Sequence, residues 1–259
     1  MGMSMRPDEH FAIVKGSPGE GARLTGLIRY SIPFLVIALI IGYFIGSMLP
    51  FPRTDTISLS IAIAILAVAA VFSLKVMGER MDGYLKGAQG EEVAARMLSF
   101  FPSQYTVFHS VRLPAEGKNP PMDLDHVLLC SDGIYVIETK NWKGLLTIEG
   151  GKVLYNGRVP SRPPIEQTYK EARRLRDCLH DVCGTYYPVV PVLCFVQNRI
   201  ESTSDVSGVL VCDDGSLMDT ILAHSGEAIN EDHYKQIHYA LDGYLDGLDR
   251  RAPNDRIGD

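Results

Sequence analysis

The sequence predicts an α/β domain, a mixed β-sheet flanked by helices, preceded by two transmembrane helices. Two long apolar runs lie near the N-terminus, at residues 27–49 and 57–75. After them, short segments in which apolar and polar residues alternate are interspersed with segments of helical periodicity. With 259 residues, the chain has room for one sizeable α/β domain plus appendages.

The two apolar runs are predicted to form a transmembrane helical hairpin at 27–75. The only charge in the first run is Arg29, near its start, and the second is uncharged before Lys75. At about 1.5 Å per residue, each run can cross a hydrocarbon core of about 30 Å. A signal peptide would begin earlier and be shorter, and a soluble helix seldom lacks a polar face for so long.

Basic residues predict how this hairpin is oriented. They lie before the first helix and after the second, whereas the turn at residues 50–56 holds only Arg53. Positive charge stays on the cytoplasmic side, so both termini are expected in the cytoplasm. The chain is therefore predicted to be an integral protein of the cytoplasmic membrane, with the lipid bilayer as a partner. Five cysteines without C-x-x-C spacing indicate neither a disulfide framework nor a zinc site.

The N-terminal 26 residues contain Gly, Pro and Ser with little periodicity, which predicts a flexible cytoplasmic tail. The soluble part is expected to begin with a helix at 88–101, followed by a strand at 105–113. Glu91 lies in the first turn of that helix. A carboxylate there suits the helix dipole, so a structural role and a site role are both open.

A β-hairpin is predicted at residues 122–144, with Ser131, Asp132 and Gly133 forming its turn. On the first strand Asp125 lies on the same face as Asp123, roughly 7 Å along the chain. The return strand is apolar until Glu138 and Lys140, which emerge on one side of it. These charges are costly to bury unless each has a partner.

Two interpretations of this hairpin are open. Glu138 and Lys140 could form an ordinary ion pair on an edge strand, with Asp125 capping a turn. Alternatively, Asp125 and Glu138 hold Mg²⁺ or Mn²⁺, since such hard cations prefer oxygen ligands. The metal would then orient water for hydrolysis of a phosphodiester, and Lys140 would position that water. His126 points to the opposite strand face, which favours a packed or surface histidine over a metal ligand.

The remaining chain predicts a second hairpin, an amphipathic helix, two strands and two terminal helices. In order, these segments are 144–158, 165–180, 187–196, 208–212, 214–224 and 232–248. Gln167, Lys170 and Arg174 share the polar side of the amphipathic helix. Trp142, just after the charged strand, could stack on a base but is more often a core anchor.

Residues 141–180 are the one locally basic part of the soluble region, with eight basic residues against four acidic ones. Lys143, Lys170 and Arg174 are therefore candidates for binding phosphates without reading sequence. The alternative is an ordinary solvated helix face. Residues 200–259 carry four basic residues against thirteen acidic ones, so nucleic acid is expected to approach from the basic side only.

Four motifs in order carry a resemblance to a known family. They are G-x-x-G-E ending at Glu91, L-D-H-V containing Asp125, D-G-I-Y-V-I-E-T-K ending at Lys140, and P-x-x-Q ending at Gln167. This order resembles the nuclease-related domain (NERD) family. That family is similar in turn to the PD-(D/E)XK nucleases, which have a restriction-endonuclease-like mixed β-sheet flanked by helices. The resemblance covers about residues 87–196, and Leu124 replaces the proline of the superfamily's name.

The resemblance implies that Asp125, Glu138 and Lys140 are the catalytic set and that Glu91 and Gln167 are accessory. It implies a nuclease-like domain at 87–200, and we expect a C-terminal α/β extension at 201–259 packed on it. The predicted function is that of a membrane-anchored, divalent-metal-dependent nuclease acting on DNA or RNA. The alternative is a catalytically silent, membrane-tethered nucleic-acid-binding or adaptor module. The net acidity favours this alternative, whereas the acid–acid–lysine set favours the enzyme.

Overall fold

The computed structural model describes residues 11–19, 36–44, 46–47, 60, 64, 68, 71, 83–200, 204–224 and 226–245. The chain divides into two compact units. One comprises Met1–Glu20 together with Gln89–Asp259, and the other comprises Gly21–Ala88.

In the Gly21–Ala88 unit, the described residues 36–44 and 46–47 are helical. Among the described residues, no helix is long and apolar enough to cross a membrane. Most of the predicted spans at 27–49 and 57–75, and the turn between them, lie outside the described residues. The two transmembrane helices and their orientation therefore stay predictions.

The larger unit is built on a seven-stranded mixed sheet, with the spatial order β1-β2-β3-β4-β7-β9-β8. β2, β3 and β4 form an antiparallel meander, and β4, β7 and β9 run parallel. A separate two-stranded antiparallel sheet joins β5 to β6. The strands are β1 (Ile13–Lys15), β2 (Thr106–Leu113), β3 (Met122–Cys130), β4 (Gly133–Lys140), β5 (Leu146–Glu149), β6 (Lys152–Tyr155), β7 (Val189–Phe195), β8 (Ser204–Val206) and β9 (Val209–Asp213).

Helices cover both faces of this sheet. The described helices around it are α1 (83–99), α2 (Pro164–Cys183), α3 (Leu217–Ala223) and α4 (Glu231–Leu245). On one face, Val127 and Val136 pack with side chains of α2 and α4. On the other, Leu128 and Ile137 pack with side chains of α1 and α3. The alternation of β3 and β4 thus serves two cores, which explains why these strands read as nearly continuous apolar runs.

Helix α2 has clear start and stop signals. Pro164 occupies its first turn, where the missing N–H of proline costs nothing. It ends at Cys183, and the following Gly184 has a left-handed φ of 69° and an N–H that donates to the carbonyl of His180. Glycine adopts this conformation without the penalty of a Cβ. The proline marks where the helix starts, and hence where its first-turn side chains lie, and the glycine marks where it ends.

The predicted fold class is confirmed in its α/β part, with a large mixed sheet flanked by helices. The strands and helices predicted from 88 onwards are observed with shifted ends. β1 is a correction: residues 13–15 lie in the segment predicted as a flexible tail, yet they pair in parallel with β2. Lys15 also forms an ion pair with Asp242 of α4. β8 was not predicted either.

Candidate active site

The β3–β4 hairpin brings Asp125 beside the end of β4, as its alternation predicts. The backbone N–H of Thr139 donates to Oδ2 of Asp125 over 2.9 Å. Asp125 is partly buried, whereas Asp123, two residues earlier on β3, is exposed. The two aspartates therefore differ in environment, because Asp125 contacts the end of β4 whereas Asp123 forms an exposed ion pair with Arg112.

Glu138, which is buried, and Lys140, the last residue of β4, join a network with α2. The Lys140 ammonium contacts Oε1 of Glu138 and donates to Oε1 of Gln167 over 3.0 Å. The Gln167 amide donates to Oε1 of Glu138 over 2.8 Å and to Oε1 of Glu171 over 2.8 Å. These bonds orient the Gln167 amide, because its oxygen faces the ammonium while its nitrogen faces two carboxylates.

Glu171 is a site residue that the sequence did not reveal. It lies four residues after Gln167, so both project from one face of α2. Its side chain is 5% exposed, and its Oε2 is buried without a hydrogen-bond partner among the described residues. The spacing from Gln167 was the available signal, but a glutamate in a helix ordinarily indicates a solvated face.

The electrostatics of the site follow from crowding several acids around one ammonium. Burial raises the pKa of Asp125 well above its usual range, and the charges of Glu138, Glu91 and Glu171 add to this. Burial, followed by the Glu138 charge, also raises the pKa of Glu171. Burial alone would lower the pKa of Lys140, but its ion pair with Glu138 reverses this and raises it.

Helix α1 brings Glu91 to the same cluster. A Cβ built on Gly90 would lie 2.7 Å from the Cβ of Asn141, just beyond β4, so only glycine permits this approach. The neighbouring residue Glu91 then lies close enough for its charge to raise the pKa of Asp125. The G-x-x-G-E motif therefore has a packing reason for its second glycine.

The donor set suits a hard divalent cation. The potential metal ligands of the cluster are carboxylate oxygens. Among them, Oε2 of Glu171 is buried without a hydrogen-bond partner in the described part of the chain, so it has unused acceptor capacity. Burial and the mutual repulsion of the acids raise the pKa of Asp125 and Glu171, and a divalent cation would favour the charged form of both groups. Within the described residues, no group of three Asp, Glu, His or Cys side chains is arranged to hold a metal ion. Mg²⁺ commonly binds through one or two carboxylates, with waters and substrate phosphates completing its shell.

The three predicted phosphate-binding residues occupy different environments. Lys143 and Lys170 are exposed, and each follows a member of the network, Lys140 or Gln167, by three residues in the sequence. Arg174 is buried, contacts Glu116 and donates to the carbonyl oxygen of Pro114 over 2.7 Å. It thus holds the loop between β2 and β3, and its guanidinium does not face solvent as a phosphate-binding residue would.

The aromatic and histidine residues near the hairpin have packing roles. His126 is buried, and its Nδ1 lies 2.7 Å from Nδ1 of His109 on β2. Trp142 packs against Phe195 and Tyr155, with ring centroids 5.7 Å and 5.1 Å away. Trp142 is therefore an anchor for the segment after β4. His126 is a packed histidine, as expected from the strand face on which it lies.

A mixed α/β sheet with an acid–acid–lysine cluster at a strand end is the kind of architecture that nuclease-like domains have. Residues 86–196 match the model of the nuclease-related domain, NERD. The matched segment contains every residue of the cluster from Glu91 to Glu171. The fold and site thus support similarity to the nuclease-related family over that segment.

One curated relative is an uncharacterized protein of Bacillus anthracis. It is 25% identical over 117 residues, which cover 43% of this chain and 55% of the relative. The chain therefore matches only about half of the length of this relative. No solved structure gives a significant match.

Proposed function

We propose that this chain is a membrane-anchored, divalent-metal-dependent nuclease that hydrolyses phosphodiester bonds of nucleic acid, DNA or RNA. One observation carries the proposal: an ammonium, Lys140, is held between Glu138 and Gln167 beside the partly buried Asp125. Keeping this many charges together is costly for a scaffold. A site that must meet a phosphate and a cation has a use for them.

Each residue has a proposed role. Asp125 and Glu138 would hold Mg²⁺ or Mn²⁺, which when bound lowers the pKa of a water molecule and screens phosphate charge. Lys140 donates a hydrogen bond to the attacking water or to a phosphate oxygen, stabilising charge that develops there. Gln167 holds the Lys140 ammonium in place. Glu91 and Glu171 support the acidic side of the site.

The membrane anchor is part of the same proposal. The apolar runs at 27–49 and 57–75 support it, as do the exposed apolar side chains Val36, Leu39 and Tyr43 of the described helical part. The basic flanks favour an orientation with both termini in the cytoplasm, where intracellular nucleic acid is available. Reporter fusions at the C-terminus and in the 50–56 turn test this orientation. A C-terminus outside the cell would rule it out.

Cleavage by the complete chain, purified in detergent, tests the activity. We expect cutting of DNA or RNA with Mg²⁺ or Mn²⁺ and little cutting with Ca²⁺, whose larger and looser coordination holds the reacting groups less well. Cleavage that persists undiminished in excess chelator would contradict metal dependence.

A second candidate is a binding or adaptor module without turnover. It is favoured by the absence, within the described residues, of a three-ligand metal group, and by the engagement of Lys140 with Glu138. If the complete chain binds DNA and RNA but cleaves neither with any of a panel of divalent metals, this candidate replaces the nuclease.

A further inference from the structure

The β5–β6 hairpin is fixed beside the proposed active site. Its entry residue Trp142 packs between Tyr155 of β6 and Phe195 of β7. Phe195 is the strand partner of Lys140 in the parallel pairing of β4 with β7. The open end of the hairpin, where the chain enters and leaves it, is therefore joined to the strand end that carries the catalytic lysine.

Hydrogen bonds join the two chain segments at this open end. The Tyr155 hydroxyl donates to the carbonyl of Lys143 over 2.7 Å. The N–H of Leu145 donates to Oδ1 of Asn156 over 3.0 Å, and the N–H of Asn156 donates to the carbonyl of Leu145 over 2.8 Å. A Cβ on Gly144 would lie 2.7 Å from the Asn156 side chain, so the two chain segments approach closely here.

The open end presents positive charge to solvent. Lys143, Arg158 and Arg162 are exposed, and none forms an ion pair with a residue that the structure describes. We call these three residues the basic patch. Arg162 also comes just before the start of α2, the helix that carries Gln167. The basic patch thus adjoins both elements of the site along the chain.

The opposite end of the hairpin differs in charge. Glu149, the one acidic residue of segment 141–165, lies next to the tip. It is the strand partner of Lys152, the remaining cation of the hairpin. The tip therefore has balanced charge, while the open end carries three positive charges. A general solvated surface would not require this asymmetry.

We propose that the basic patch binds the phosphate backbone of a nucleic-acid duplex beside the active site. This rests on the proposed function in taking nucleic acid as the ligand, and it adds double-stranded substrate and two arginines. Both aromatic rings of the hairpin, Trp142 and Tyr155, are engaged in packing, so the hairpin lacks the exposed rings on which single strands stack.

Binding of a fluorescent DNA duplex to the complete chain, measured by anisotropy over a salt series in EDTA, tests this. Each phosphate contact contributes about 0.9 to the slope of log affinity against log salt. We expect the triple variant Lys143→Ala/Arg158→Ala/Arg162→Ala to lower that slope by about 2 to 3. Arg158→Ala alone should lower it by about 1, and the matched control Lys152→Ala should leave it unchanged.

An unchanged slope in the triple variant would overturn the inference, as would equal losses for Arg158→Ala and Lys152→Ala. So would parental binding that is as tight for a single strand of the same sequence. If the triple variant loses binding to anionic vesicles but binds duplex like the parent, the basic patch is assigned to lipid headgroups. Melting curves must match among all variants. If Arg158→Ala is misfolded, Arg158→Gln takes its place, because it removes the charge but keeps a hydrogen-bonding side chain.

Because EDTA removes the cation, this outcome is separate from catalysis. A chain that binds duplex through the basic patch but never cuts supports this inference and removes the nuclease proposal. A chain that cuts normally while the triple variant binds like the parent does the reverse.

Discussion

Lys140 donates a hydrogen bond of 3.0 Å to the side-chain oxygen of Gln167, which joins the last residue of β4 to the first turn of α2. The same amide donates to Glu138 and Glu171. One glutamine therefore fixes the positions of an ammonium and two carboxylates. This connection makes the proposed site one unit, so single substitutions within it are expected to have coupled effects.

Replacing Lys140 tests its proposed part in chemistry. Lys140→Ala should lower the cleavage rate by roughly 100-fold or more while changing substrate affinity much less, because its ammonium acts on the developing charge. Single-turnover cleavage and separate binding measurements distinguish the two effects. Lys118→Ala, on an exposed loop, is the control. Since the loss of Lys140 leaves Glu138 without its cation, melting must be compared, and cleavage at the parental rate would remove the lysine from the mechanism.

Asp125 and Asp123 form a natural pair for testing metal binding. Asp125→Asn should weaken Mn²⁺ binding at least about tenfold, because a carboxylate ligand is lost. It should change the free energy of unfolding by less than about 1 kcal/mol, since asparagine still accepts the hydrogen bond from the Thr139 N–H. Asp123→Asn, at the exposed beginning of the same strand, should leave Mn²⁺ binding unchanged. Calorimetric titration of the complete chain measures both, and equal affinities would exclude Asp125 as a ligand.

Two helical glycines of α1 should respond oppositely to alanine. At Gly90 the new Cβ would lie 2.7 Å from Asn141, and such overpacking costs about 1–3 kcal/mol. At Gly87 no heavy atom lies within 4 Å of the new Cβ, so alanine should stabilise the helix by up to about 1 kcal/mol. Urea unfolding measures both changes. Gly90→Ala should also weaken Mn²⁺ binding by moving Glu91, and an unaffected metal affinity would argue against that position for Glu91.

The His109–His126 pair predicts how stability depends on pH. Burial lowers the pKa of His109 to about 4 and that of His126 well below its usual range. In the unfolded chain both titrate near pH 6.5, so below that pH the unfolded state binds more protons and folding stability falls. Taking His109 alone, the loss approaches about 3 kcal/mol as the pH falls to about 4.

Urea unfolding between pH 7.5 and pH 4.5 measures this loss. His109→Gln should flatten the pH dependence, although it lowers stability at neutral pH by removing the buried ring. Asp125 and Glu171, whose pKa values are raised, act in the opposite direction in both proteins, so the comparison with the variant is decisive. The same pH dependence of stability in the wild type and in His109→Gln would contradict the buried neutral pair.

Local patterns were enough to predict the central hairpin and α2. Strand alternation on both sides of Ser131, Asp132 and Gly133 specifies the register that brings Asp125 to the end of β4, because adjacent strands joined by a short turn have few alternatives. In the same way, the spacing of apolar residues in α2 specifies the side on which Gln167 lies. The polar face of a helix, however, does not reveal which of its members are buried.

The features that the sequence missed depend on contacts between distant residues. Glu171 is buried because β4 presents Glu138 to it, and Arg174 is buried because the loop containing Glu116 folds over it. β1 has only three residues, too few for a periodic signal, and it is a strand because β2 pairs with it about 90 positions later. Such positions follow from tertiary packing, which overrides local propensity.

The order of strands in the sheet also has a consequence for the order of folding. Asp125 and Glu138 come together in a hairpin with a two-residue turn, which closes at small entropic cost. β4 and β7 are separated in the sequence by the β5–β6 hairpin and α2, and parallel pairing across such a long segment forms slowly. We therefore expect the two acids to meet early during synthesis, exposed to water. Gln167 and Glu171 would cover them only when α2 docks, so the charged cluster is enclosed in one of the last steps of folding.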